Sequence, residues 1–143
     1  MFQKLNLQYF LSYFGIFPLF FIILDKYFFF QINEEIILDF SIYYSLLIFV
    51  FIGSINWNLE IKPNNYIVIY GFLPSLLSVI ILFMNLYNFN SVVLVLLLIF
   101  FLLTQLFLDY VLIYSNNVNK YSFYYLRTPL TLIITIFLGI IIF

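Results

Sequence analysis

Short polar stretches divide the sequence into five apolar runs, at residues 7–24, 40–57, 66–87, 92–114 and 128–143. Crossing the ~30 Å hydrocarbon core of a bilayer takes about 20 predominantly apolar residues, and the first four runs suffice when some tilt is allowed. The fifth reaches only about 24 Å at 1.5 Å per residue. It nevertheless opens well, because Thr128 offers a capping hydroxyl and Pro129 suits the first helical position. With 66% hydrophobic and only 8% charged residues, against roughly 25% charged in a soluble domain, an ordinary soluble globular protein is excluded. The fold class expected is all-α: a polytopic integral membrane protein, one domain over residues 1–143, built as a bundle of five transmembrane helices. The first run follows Lys4 in the manner of a signal peptide, but no small-residue cleavage pattern follows it, so it is expected to remain as a span.

The chain has no Cys and no His. Disulfides, thiolate chemistry and the commonest metal ligand and general base are therefore excluded. No nucleophile elbow, zinc-protease helix motif or phosphate-binding glycine loop occurs. The expectation is a protein that is not an enzyme and has no cofactor and no metal. A net charge of −1 offers no basic patch to nucleic acid.

The connecting stretches are an acidic loop at 25–39, a short loop around Glu60, Lys62 and Pro63, a tight turn at 88–91 and a polar loop at 115–127. A cytoplasmic N-terminus places Lys4, Lys62, Lys120 and Arg127 on the cytoplasmic side and only Lys26 outside, which is the positive-inside pattern. The expected orientation is N-terminus in and C-terminus out. Tyr and Trp residues, including Tyr9, Tyr43, Tyr87 and Trp57, cluster at the ends of the runs as interfacial anchors do.

At 100° per residue, small and polar residues share one face of several spans. Gly15 lies on the first, Gly53 on the second, Gly71 on the third, and Thr128, Thr131, Thr135 and Gly139 form a stripe on the fifth. Helices in lipid associate where small residues let backbones approach and hydroxyls bond across, so these faces are expected to pack. Pro18 and Pro74 lie inside spans, where a missing N–H frees a carbonyl and bends the helix.

Asp109 is the one acid well inside a run, with Gln105 one turn earlier on the same face. Arg127 opens the fifth span at the same expected membrane level. An ion pair between Asp109 and Arg127, with Gln105 adding a hydrogen bond, is expected to fix how the fourth and fifth helices dock. The functional alternative makes Asp109 a proton-relay or substrate carboxylate.

In order along the chain stand Tyr13-Phe14-Gly15-Ile16-Phe17-Pro18, Phe51-Ile52-Gly53-Ser54-Ile55-Asn56-Trp57, Pro74, Gln105 with Asp109, and Tyr125-Leu126-Arg127-Thr128-Pro129-Leu130-Thr131. This series resembles the domain-of-unknown-function 3429 family, whose eukaryotic members are called transmembrane protein 69. The resemblance covers nearly the whole chain. It implies a five-span protein of bacterial inner membranes and of mitochondria, with no established biochemical activity. The family pattern has His-Trp-Gly where this chain has Asn56-Trp57-Asn58, so no metal or proton role of that His carries over. The polar positions that match are Gln105, Asp109, Arg127, Thr131 and Trp57.

The function expected is that of a small non-catalytic accessory, assembly or stabilising partner of another inner-membrane complex, in a bacterial or mitochondrial inner membrane. The partners expected are the lipid bilayer and either another membrane protein complex or a second copy of the chain. The alternative is a small transporter or channel for a neutral or weakly charged solute, with Asp109 as its proton or substrate site.

Overall fold

The structure, a computed structural model, describes residues 10–54, 65–116 and 123–143. Every regular element among them is helical. α1 (Phe17–Leu24) continues into a π-helical turn at Asp25–Phe29. α2 is Glu34–Ser54, α3 Asn65–Leu86 and α4 Ser91–Asn116. α5 (Thr128–Ile142) follows directly on a second π-helical turn, Phe123–Arg127. Five helical segments are long and apolar enough to cross a membrane: Phe10–Phe29, Glu34–Ser54, Val68–Leu86, Ser91–Val111 and Phe123–Ile142.

The helix ends depart from the sequence expectation for identifiable reasons. Asp25 does not terminate the first segment; its buried carboxylate turns inward and accepts the Ile32 N–H at 2.9 Å. The Phe30 N–H closes on the Asp25 carbonyl at 2.7 Å, with Phe30 in the left-handed region at φ 51°. α2 then starts at Glu34, because the Asn33 carbonyl accepts from Ile37 N and its side chain accepts from Glu35 N. Glu34 and Glu35 thus occupy the first turn, where carboxylates favour the helix dipole. The acidic loop expected at 25–39 is reduced to residues 30–33, and Asp39 is helical.

The turn expected at 88–91 is present and is a Schellman motif. Asn88, at φ 57°, donates to Asn85 O, and Phe89 N donates to Met84 O. Asn90 then caps α4, its side chain accepting from Val92 N at 3.0 Å.

The fifth span is longer than the sequence suggests. The turn Phe123–Arg127 adds to α5 and gives a segment of 20 residues, about 30 Å if fully helical. Thr128 is not the N-cap that was expected. The chain is already helical at Arg127, and the Thr128 hydroxyl donates to Phe123 O at 3.1 Å. Pro18 acts as expected of a proline in a helix: residues 10–14 are helical, the ladder breaks at Gly15 and Ile16, and helix resumes at Phe17.

The described chain groups into two compact units, Met1–Ile37 with Ile99–Phe143, and Leu38–Leu98. In the first, α1 and α5 run parallel. Tyr13 bonds to Tyr125 at one end, Phe20 meets Phe137 in the middle at 6.3 Å between ring centroids, and Lys26 and Tyr27 reach Ile141 and Ile140 at the other. Leu19, Leu102, Leu138 and Ile141 are fully buried. In the second unit, α2 and α3 approach closely at Gly53. A Cβ there would lie 2.6 Å from Pro74 Cγ, 2.9 Å from its Cβ and 3.2 Å from the Gly71 carbonyl oxygen. The backbones meet because position 53 carries no side chain, as small-residue packing requires.

Candidate functional site

Of the polar cluster expected between the fourth and fifth spans, the Asp109–Arg127 pair is present. α4 presents Gln105 and Asp109 one turn apart, both buried. Arg127 is the last residue of the π-helical turn that leads into α5. Its Nε donates to Asp109 Oδ2 at 2.7 Å, and its Nη2 lies 2.7 Å from the same oxygen. Both contacts converge on one oxygen, so the pair lacks the two parallel bonds of a fork-to-fork arrangement. The side chains are 15% and 9% exposed. Arg127 Nη1 is buried with no hydrogen-bond acceptor among the described residues.

The local sequence explains the presentation of Arg127. Pro129 has no N–H to give to Tyr125 O, four residues earlier. The Tyr13 hydroxyl donates to that carbonyl instead, at 2.9 Å. Thr131, fully buried, donates its hydroxyl to Arg127 O at 3.0 Å. Prolyl interruption, hydroxyl replacement and the wider π turn together carry the guanidinium to the Asp109 carboxylate.

Other expected positions fall out differently. Thr131 and Thr135 are buried, but their hydroxyls donate back to the carbonyls of Arg127 and Leu132 in the same helical segment, and among the described residues neither hydroxyl donates across the stripe. Gly139 makes no close approach, since a Cβ there would meet nothing within 4 Å. Gly71 is buried beside the Gly53 and Pro74 crossing. Asn56 and Trp57 lie outside the described residues, as do Lys4, Lys62 and Lys120, on which the expected orientation rests.

Two further polar groupings were not anticipated. Lys26 Nζ donates to Ile141 O at 2.6 Å and Tyr27 Oη to Ile140 O at 3.0 Å. They satisfy carbonyls that the last turn of α5 leaves without intrahelical donors. In the other unit, Asn85 Nδ2 donates to Tyr43 Oη at 3.0 Å and to Asp39 Oδ1 at 3.4 Å, tying α3 to α2. Among the described residues no three acidic side chains come together as a metal would need.

A buried, partly satisfied ion pair contributes little net stability over an apolar pair of equal volume, yet removal of one partner is costly. Such a pair is therefore suited to fixing register between two helices. Comparison with protein-family models, curated proteins and solved structures finds no match to this chain.

Proposed function

We propose that this chain is a five-span integral membrane protein, a helical bundle with its N-terminus in the cytoplasm and its C-terminus outside. Its role is that of a non-catalytic accessory, assembly or stabilising partner of another inner-membrane complex. The observation that carries this reading is the engagement of Asp109 by Arg127 at 2.7 Å. The acid deepest in the fourth span is held in a structural contact, and Arg127 is committed to it. The segment resemblance to the domain-of-unknown-function 3429 family supports the same reading, because that family combines five spans with an inner-membrane setting and has no assigned chemistry.

The test is extraction of a tagged copy in mild detergent, followed by native electrophoresis and mass spectrometry of co-migrating proteins. Co-migration at fixed stoichiometry with a defined complex is expected. Migration alone, or only with copies of itself, removes the partner reading. The burial of Asp109 and Arg127 together with Gln105 and Thr131 inside helical segments favours one second reading, a carrier whose carboxylate exchanges Arg127 for a proton or a solute. In that case Asp109→Asn abolishes flux in a well-folded protein, whereas the partner role tolerates it wherever the variant still folds.

A further inference from the structure

The turn between α1 and α2 carries three consecutive aromatic residues outward. Phe28, Phe29 and Phe30 are 73, 64 and 77% exposed. Phe30 holds a left-handed conformation, φ 51°, that glycine would adopt at no steric cost. Part of the turn's polar complement is satisfied internally, while the Gln31, Asn33, Glu34 and Glu35 side chains are exposed. The Phe30 and Ile32 N–H groups close on the Asp25 carbonyl and carboxylate, and the Lys26 ammonium folds onto Ile141 O. Backbone donors closed in this way, with polar side chains free to meet headgroups and water, suit an interfacial layer.

The depth of the turn follows from its neighbours. Lys26 lies within 2.6 Å of Ile141 O and 3.7 Å of Glu34 Oε1, so the end of α1, the start of α2 and the end of α5 share one level. The tip lies two to four residues beyond Lys26, about 3–6 Å at 1.5 Å per residue. A bilayer's headgroup layer extends about 5–7 Å past each face of its hydrocarbon core. Resting on the five-span reading above, we propose that the α1 to α2 turn is seated in the headgroup layer of the outer leaflet. Phe28, Phe29 and Phe30 are its lipid contacts, and Lys26 and Glu34 mark the hydrocarbon boundary beneath it. Phe28 and Phe29 end the apolar Phe10–Phe29 segment, and burial of aromatic surface in the lipid interface holds the turn in place.

Because the chain has no Cys, single-cysteine variants report the position directly. Phe30→Cys and Phe28→Cys are reconstituted in phosphatidylcholine and phosphatidylglycerol vesicles, with Phe100→Cys, exposed in mid-α4, as the hydrocarbon control. Vesicles are freeze-thawed with a membrane-impermeant maleimide so that reagent reaches both sides. The expected result is labelling slowed by about tenfold or more against the same variant in SDS, a factor equivalent to about 1.4 kcal/mol of sequestration. An environment-sensitive fluorophore at the same cysteine is expected to be quenched by lipids bearing a nitroxide at the headgroup. Labelling of Phe30→Cys and Phe28→Cys at the SDS rate, with Phe100→Cys protected, overturns the proposal and leaves the spans standing. Protection without lipid quenching overturns it in favour of a protein cover. Fast labelling of Phe100→Cys refutes the five-span reading itself. Phe28 lies in helical backbone, so its variant keeps the test decisive if a change at the left-handed Phe30 disturbs the turn.

Discussion

Removal of the Asp109 and Arg127 pair one residue at a time, and then together, tests whether it fixes the docking of α4 against α5. Taking one partner from a buried ion pair costs about 3–5 kcal/mol, because the other charge stays behind desolvated. Arg127 keeps 15% exposure, which places Asp109→Ala and Arg127→Ala each near the lower end, about 3 kcal/mol. Side chains in direct contact couple by about 0.5–3 kcal/mol. Two contacts of 2.7 Å on a single oxygen argue for about 2 kcal/mol of coupling. The double variant should then lose about 4 kcal/mol rather than the additive value of about 6. Replacing both residues by Leu should cost less than either alanine variant alone, since neither charge is left behind. Reversible SDS-driven unfolding in mixed micelles, followed by circular dichroism, measures all of these. Losses that add to within about 0.5 kcal/mol refute the coupling and with it the register role.

Gly53→Ala should destabilise by about 1–3 kcal/mol in the same assay, because the new methyl would overlap the rigid Pro74 ring at 2.6 Å. Gly139→Ala, in open space, should be neutral or stabilising by up to about 1 kcal/mol through helix propensity. Tyr13→Phe should cost about 1 kcal/mol by leaving Tyr125 O without the hydroxyl that Pro129 makes necessary; in a Pro129→Ala background, where position 129 regains an N–H, the same change should lose most of its effect. Ser45→Ala should be neutral or stabilising by up to about 1 kcal/mol, because the Ser45 hydroxyl is buried without a partner among the described residues; a loss greater than about 1 kcal/mol would mean that this hydroxyl has a partner.

The features legible in the sequence were those set by the length of a run or by a rare residue type. Five apolar runs appear as five apolar helical segments, and the single Arg at the edge of the fifth meets the acid inside the fourth. Gly53, chosen as a small residue on a helix face, is the contact point with Pro74. Features that depend on local backbone chemistry are less legible. Asn33 followed by Glu34 and Glu35 is a helix-start signal, but acidic residues at an apolar boundary equally resemble a loop. The two π-helical turns carry no periodicity signal of their own, yet they extend the first and fifth segments. The threonines on α5 bond within their own helix, an alternative open to any hydroxyl in a helix interior. The link from Tyr13 to Tyr125 could not be foreseen from helix faces, because it depends on a carbonyl that Pro129 frees in another part of the chain.

The parallel pairing of α1 with α5 bears on how such a chain is made. Three hydrogen bonds of this pairing join residues separated by 112, 113 and 115 positions. During ribosomal synthesis the Phe10–Phe29 segment therefore waits for the Phe123–Ile142 segment before Tyr13, Lys26 and Tyr27 meet their carbonyls. Until then the ammonium and the two hydroxyls must be served by water, lipid headgroups or the insertion machinery. Docking of α5 supplies those carbonyls, so a nascent chain stalled after α4 holds a first segment whose Tyr13, Lys26 and Tyr27 lack these acceptors.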